Sequence, residues 1–483
     1  MPITIGVDIG TTSITALALE TESGTVLARH TLPNRAEITP APLKARGYSE
    51  WDGPALMRTQ MEALRAVAAA LSPRLGETAG LAYTGQQHGV ILLDGEGEPL
   101  TPFINWQDQR GEEPLATSGN TYTQEAQERL DAVGARCTGC RLATGFMGVT
   151  LYWLHRKGLL PAGATACSII DYAGAVLTGR PPVTDPTMAA SSGLANVQTR
   201  RWDPNLLAAL QLPAALFPEV REPGSPLGAL SAGAAQATGL PQGLPLFVGL
   251  GDNQASFVGS VREPRRSVLA NVGTGAQVAL LTRRDDWTPP LESRPYPGSG
   301  NLLVYAGLSG GRSYALLERF FRAVGEQLFG VSAEEALYPR MNALAAAIPP
   351  DADGLRCHPA FYGTRARPAE RGSWSGVSAF NLTPGHLARS LLEGTARGLW
   401  EGFTHLLRTE GAPREVLVGA GNGIRENAVL AECLSRVFGK PLYIPQHREE
   451  AAFGAALVAA AGAGIFPTLA DAAGLIRYQT ISG

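Results

Sequence analysis

Asp252 stands in the run LPLFVGLGDNQASF, directly after an apolar stretch and a Gly-Leu-Gly. The apolar stretch reads as a short buried strand that the glycines end. A carboxylate at the exit of a core strand is rigidly held and still reaches an open space. That suits a general base taking a proton from a substrate hydroxyl. The competing reading is a helix cap. Asn253 follows Asp252 directly. A second acid, Asp8, ends the strand-like ITIGVD and is followed by Gly10, Thr11 and Thr12. Glycine lets backbone N–H groups approach an oxyanion, and threonine adds hydroxyl donors. A carboxylate beside such a turn is useful only if a cation such as Mg²⁺ lies between it and a phosphate.

The same pattern recurs. VDIGTTSITALAL near the start resembles LANVGTGAQVALL around residue 275. Gly273 and Thr274 then parallel Gly10 and Thr11, and Asn271 parallels Asp8. The repeat predicts two halves on one plan, with residues 1–245 as an N-terminal domain and 246–483 as a C-terminal domain. Two Gly-Thr tips from two domains would clamp a triphosphate, against the plainer reading of two hairpin turns. Two further glycine clusters look like backbone surfaces for a nucleotide. One is GAGNGIREN, with Gly421, Asn422 and Asn427, and the other is GLSGGRS, with Gly311. The competing reading for each is an ordinary loop leading into a helix. The chain has no G-x-x-x-x-G-K-[ST], so the P-loop route to nucleotide binding is closed.

Sugar-type chemistry is concentrated elsewhere. TGQQHG carries Gln87 and His88, NWQDQR carries Trp106 and Asp108, and SIIDY ends an apolar run at Asp171. An aromatic face with amide and carboxylate forks suits C–H groups and hydroxyls. Each residue also has a structural reading: His88 as a hydrogen-bonder, Trp106 as core, Asp108 with Arg110 as a surface pair.

The elements that must position these residues alternate. Strands are predicted over Ile3 to Asp8, Ser13 to Leu19 and Thr25 to Thr31, and a helix from Pro54 through Leu71. Helices are also predicted from Gly385 to Thr409 and after Gly423, the latter stopping at Gly439. Alternation makes the fold class α/β. With 483 residues, 45% hydrophobic and 17% charged, the chain is an ordinary globular one too long for a single core. A net charge of −3 without a basic run disfavours nucleic acid and anionic membranes as partners. MPITIGVDIG does not read as a signal peptide, and no apolar run suits a bilayer span. Five cysteines, with Cys137 and Cys140 as a lone C-x-x-C, read as reduced cytoplasmic thiols. Oligomeric state is not legible; a homodimer stays open.

These motifs, in this order, resemble the FGGY carbohydrate kinases over the whole length: DIGTT, TGQQHG, NWQDQR, GDNQAS, NVGTG, GAGNG and EEAAFGAAL. The resemblance implies an actin-like fold of two ribonuclease-H-like domains with a central cleft, with ATP, Mg²⁺ and a sugar or polyol as ligands. It implies Asp252 as general base and Asp8 near Mg²⁺ through water, with Asp252 beside it. Gly10, Thr11, Thr12, Gly273 and Thr274 would meet the phosphates. Gly311, Gly421, Asn422 and Asn427 would lie at the nucleotide. Gln87, His88, Trp106, Asp108, Asp171 and Asn253 would line the sugar. Within the family the chain is most similar to the sedoheptulokinases, through RLATGFMGVTLYWL, SIIDYAGAVLTGRPPVTDPTMAASSG and PAFYGTRARP. Gln87 departs from the methionine of that group, and Trp51 from the small polar or Gln residue usual in the family. The expected reaction is phosphorylation of the terminal primary hydroxyl of a ketose, sedoheptulose first. Xylulose, ribulose or a polyol remains the nearer alternative, and a non-catalytic sugar- or nucleotide-binding regulator the distant one.

Overall fold

The structure is a computed structural model that describes residues 1–116, 118–284, 287–332, 334–363, 367 and 369–481. Residues 364–366 and 368 of the PAFYGTRARP motif and the last two residues of the C-terminal IRYQTISG lie outside the described residues. The chain divides into two compact units. The first comprises Met1–Arg262, Ser293–Asn301 and His447–Ile476; the second comprises Glu263–Glu292, Leu302–Gln446 and Arg477–Gly483.

The first unit is built on β1 (Ile3–Ile9), β2 (Ser13–Glu20) and β3 (Val26–Pro33), an antiparallel meander, followed by α1 (Gly53–Ala70) and β4 (Thr78–Gly85). Asp52 caps α1 by accepting the Ala55 N–H, and Pro54 occupies its first turn. Later elements are α2 (Ile169–Thr178), α3 (Pro186–Ser191), β5 (Pro226–Ala229), β6 (Pro245–Phe247), β7 (Leu250–Gly251) and α4 (Asp252–Ser260). The sheet runs β5-β6-β4-β1-β2-β3, with β7 also pairing β4. Alternate residues of β1, including Ile3, Ile5, Val7 and Ile9, are buried in a core with Leu56, Leu64 and Val67 of α1. That is the burial expected of a strand at the centre of a sheet.

The second unit repeats the plan. β8 (Ser267–Val272) and β9 (Ala276–Thr282) form the second hairpin, followed by β10 (Asn301–Leu308), α5 (Gly311–Phe329) and α6 (Pro384–Glu410). Next come β11 (Val416–Ala420), α7 (Ala428–Phe438) and β12 (Leu442–Pro445). In space the order is β10-β9-β8-β11-β12, the counterpart of β3-β2-β1-β4-β6 in the first unit. The parallel pairs match too: Asp8 is in register with Thr84, and Asn271 with Ala420. The short sequence repeat therefore marks a duplicated α/β domain. The C-terminal segment, for which the sequence offers no role, forms β13 (Tyr478–Ile481), antiparallel to β12 at the sheet edge.

The compact units do not follow a division at 245/246. Asp252 and α4 belong to the first unit, and so does α8 (Glu450–Gly462), which carries most of the EEAAFGAAL motif. Small residues are the reason. A Cβ on Gly454 would collide with the Ala255 carbonyl of α4, and one on Gly6 with the Ala452 carbonyl of α8. Close backbone approach of this kind draws α8 onto α4 and β1. A sequence repeat records ancestry along the chain and cannot register a helix that returns to the first half.

No described helix is long and apolar enough to cross a membrane. All five cysteines are free thiols, and the Cys137 Sγ donates to the Asp203 carboxylate at 3.7 Å. Burial and the neighbouring Asp203 push the Cys137 thiol upward, away from reactive thiolate.

Candidate active site

Three parallel strand ends bring the polar motifs of the first unit together. β1 and β7 flank β4, with Asp8 and Leu250 both in register with Thr84, and Ile9 and Gly251 both with Gly85. Asp8 therefore ends one strand, the TGQQHG loop leaves the next, and Asp252 emerges two residues beyond Leu250. Asp252 is the first residue of α4, whose N-cap is Gly251, so it does not cap the helix. Its Oδ1 accepts the adjacent Asn253 N–H at 2.7 Å.

Both acids are half-buried, and the protein packed around them disfavours their ionised forms. Burial pushes the Asp252 carboxyl up to about 6, against a lowering influence from Asn253 and Arg294. Asp8 rises to about 7, first through burial and then through the charges of Asp252 and Glu449. Asp8 Oδ1 is buried without a hydrogen-bond partner. Clustered carboxylates with an unsatisfied oxygen fit a hard divalent cation. Among the described residues no group of three His, Cys, Asp or Glu forms a direct ligand set. A cation at this position would be held partly through water and phosphate oxygens.

The sugar-type residues divide into two sets. Gln87 is buried and donates from Nε2 to the Thr187 carbonyl at 3.2 Å. His88 takes a positive φ of 76°, stacks on Phe146 at 4.0 Å between ring centroids, and bonds the Ser191 carbonyl through Nδ1 at 2.7 Å. Trp106 is 44% exposed and donates from its indole to Thr11 Oγ1 at 2.9 Å, tying NWQDQR to the first Gly-Thr turn. Asn253 keeps a buried Oδ1 without a partner. These four stay with the strand ends.

Asp108 and Asp171 do not behave as sugar ligands. Asp108 pairs with Arg110, as in the competing structural reading, but the pair is buried rather than at the surface, at 0% and 4% side-chain exposure. Asp108 accepts the Arg110 N–H, its Nε and Nη2, and the Ser49 N–H. Arg110 in turn lies over the Tyr48 and Trp153 rings and bonds Glu50. The carboxylate is fully used in holding the loop. Asp108→Ala should destabilise the fold by roughly 2–3 kcal/mol, since it leaves the buried guanidinium with Glu50 as its one remaining carboxylate partner and the Ser49 N–H without its acceptor; denaturant unfolding with a wild-type midpoint would refute this. Asp171 was expected at a strand end. It lies instead in the first turn of α2, in a capping box where Oδ2 accepts the Ser168 N–H at 2.8 Å. An apolar run that continues through an acid looks alike in a strand and in a buried helix start.

In the second unit, Gly273, Thr274, Gly311, Asn422 and Asn427 line one cavity of about 630 Å³. Its volume suits a nucleoside. The Gly311 N–H donates to the Gly273 carbonyl at 2.8 Å and the Arg312 N–H to the Thr274 carbonyl at 3.1 Å, stitching the start of α5 to the second hairpin tip. Gly421 does not itself line the cavity, but its φ of 86° turns the chain tightly over the Val272 carbonyl. Asn427 caps α7 and donates to Asn342 Oδ1, which also accepts the Tyr314 hydroxyl. Tyr314 stacks on Tyr338. Tyr314, Tyr338 and Asn342 carry no local motif and were not legible in the sequence. Thr187 and Ser191 were missed as well; the Asp185-Pro186 cap signature was their only signal.

Family models settle the class. The N-terminal domain of the FGGY family of carbohydrate kinases matches residues 3–259, and the C-terminal domain of that family matches residues 268–463. The chain belongs to the FGGY family of carbohydrate kinases. It is thus an ATP-dependent carbohydrate kinase with ATP as cosubstrate. This FGGY kinase is 31% identical to sedoheptulokinase of Homo sapiens, over 95% of its length and 97% of that protein. It is 30% identical to a glycerol kinase of Alkalilimnicola ehrlichii, over 95% and 90%. The crystal structure of xylulose kinase from Rhodospirillum rubrum superposes with a TM-score of 0.85 at 27% identity, over 99% of this chain and 94% of that one. The actin-like, duplicated fold of the FGGY kinases is the fold described above.

Proposed function

We propose that this kinase transfers the γ-phosphoryl group of ATP to the terminal primary hydroxyl of a ketose, sedoheptulose giving sedoheptulose 7-phosphate. The observation that carries the choice of sugar is the 31% identity to human sedoheptulokinase over nearly both full lengths. The glycerol kinase at 30% keeps a polyol, and the xylulose kinase keeps a pentulose, as the rivals to be tested.

In this reading Asp252 accepts the proton as the hydroxyl attacks phosphorus, and Gln87, His88, Trp106 and Asn253 orient the sugar. Gly10, Thr11 and Thr12, with Gly273 and Thr274, donate to phosphate oxygens, while Gly311, Gly421, Asn422 and Asn427 serve the nucleotide. Support comes from the convergence of Asp8, Gln87 and Asp252 at adjacent strand ends and from the cavity beside the second hairpin tip. Asp8, beside Asp252, is the residue suited to Mg²⁺. When bound, that ion would offset negative charge on the phosphoryl oxygens. Positioning and fixed donors do most of the remaining work in phosphoryl transfer.

A coupled ADP-release assay over sedoheptulose, xylulose, ribulose, fuculose and glycerol tests the assignment. Sedoheptulose is expected to give the highest kcat/KM. A higher value on another acceptor would reassign the substrate; no ADP release on any of them would place the acceptor outside this set.

A further inference from the structure

The run VTDPTMAASSG has no assigned part in the chemistry, yet it forms the short helix α3 directly behind the strand ends. Asp185 caps it, accepting the Thr187 N–H at 2.7 Å, and all six of its residues are buried. Four hydrogen bonds run from this helix to the candidate site. Thr187 Oγ1 accepts the Gly251 N–H at 2.7 Å. The Thr187 carbonyl accepts Gln87 Nε2 at 3.2 Å. Ser191 Oγ accepts the His88 N–H at 3.3 Å, and the Ser191 carbonyl bonds His88 Nδ1 at 2.7 Å. Gly251 is the last residue of β7 and the N-cap of α4, immediately before Asp252. A Cβ on Gly251 would run into the Gln87 amide. The two strand ends are therefore packed against each other as well as bonded to one helix.

We propose that Thr187 is a positioning residue for Asp252. Its hydroxyl holds the backbone N–H one residue before the proton acceptor, while its own carbonyl holds Gln87 on the sugar side. One residue thus locks the acceptor and a sugar-orienting amide into a single unit. The proposal rests on the reading of Asp252 as general base. Reaction needs the acceptor within hydrogen-bond reach of the hydroxyl, and a shift of about 1 Å costs on the order of 10²-fold. The Gln87 bond uses the Thr187 backbone, so it survives any side-chain change. Loss of the hydroxyl should therefore fall on turnover and spare sugar binding.

Thr187→Val keeps the shape and removes the acceptor. Steady-state kinetics of the full chain with the best sugar and ATP are expected to show kcat lowered about 10–100-fold, with KM for the sugar changed less than about threefold. Thr187→Ser, which restores the hydroxyl, is expected to return kcat to within about threefold of wild type. Should Thr187→Val fail to fold, Thr187→Cys serves, since a thiol is a weak acceptor; its kcat should fall clearly below that of Thr187→Ser. Wild-type kcat in Thr187→Val, equal kcat in the Cys and Ser variants, or a change confined to KM would each overturn the proposal. Asp252→Ala run in parallel separates the failures. If it retains full turnover, the general-base reading is wrong. If it is inactive while Thr187→Val is fully active, only the positioning role is wrong.

Discussion

Asp252→Ala is expected to lower turnover by roughly 10²–10⁴-fold while affinity for the sugar falls far less. A primary hydroxyl is a poor nucleophile at neutral pH, and removing its proton during attack is the one step that needs a basic side chain. Asp252 is suited to it in two ways. It leaves a strand end clamped in the sheet by β4, so its position is set by the backbone. Its carboxyl is also raised to about 6, mainly by burial, which makes it a better base than an exposed aspartate yet leaves it ionised at pH 7. The sign of the pH dependence follows. A base must be deprotonated and Asp8 must be ionised to hold a cation, so kcat/KM should fall as pH drops through about 7 to 6. The measurement is kcat and KM for wild type and Asp252→Ala across pH 5–8. Near-full turnover in the alanine variant would remove Asp252 from the mechanism.

Asp8→Asn is expected to abolish most turnover and at the same time to stabilise the fold at alkaline pH. The Asp8 carboxyl stands at about 7 when folded, against an ordinary 3.8, because burial and the charges of Asp252 and Glu449 all disfavour its ionised form. The folded state then binds the proton more tightly than the unfolded chain. Stability is favoured at low pH and lost as pH rises from about 4 through about 7. Above that window the wild-type protein carries a half-buried charge whose inner oxygen, Oδ1, has no hydrogen-bond partner, and asparagine carries no charge there. The variant should therefore melt roughly 2–4 °C higher at pH 8, with no gain below pH 4. Mg²⁺ should raise the wild-type Tm at pH 8 and leave that of Asp8→Asn almost unchanged, since a cation relieves the same charge. A lower Tm for Asp8→Asn at pH 8, or equal Mg²⁺ responses, would show that Asp8 is satisfied in some other way.

Much of the scaffold was readable along the chain. β1, β2 and β3 end within two residues of the expected positions, as do α1 and α6: β1, β2, α1 and α6 each carry a full period of buried residues, while β3 only alternates half-buried with exposed positions and is marked by the turns on either side. The Gly-Thr turns were readable for a related reason: a tight turn between strands accepts few residue types. The helix expected after Gly423 is in fact a four-residue turn of helix, Asn422–Arg425, and then α7, because Asn427 starts a new cap.

Residue type and local spacing were enough for the α/β class, the repeat, the absence of a P-loop and the two acids at strand ends. They fall short where a side chain's partner lies far along the chain. Asp108 looked like a sugar ligand until its four donors were in place, and Asp171 until its helix start was. Thr187 looked like nothing until Gly251, 64 residues on, bonded to it. The return of α8 to the first unit belongs with these. Periodicity reflects burial, which is a local average over one face of an element. Whether a polar group is spent on the scaffold or left for a substrate depends on specific pairings across the sheet, and only the folded chain brings those partners within reach.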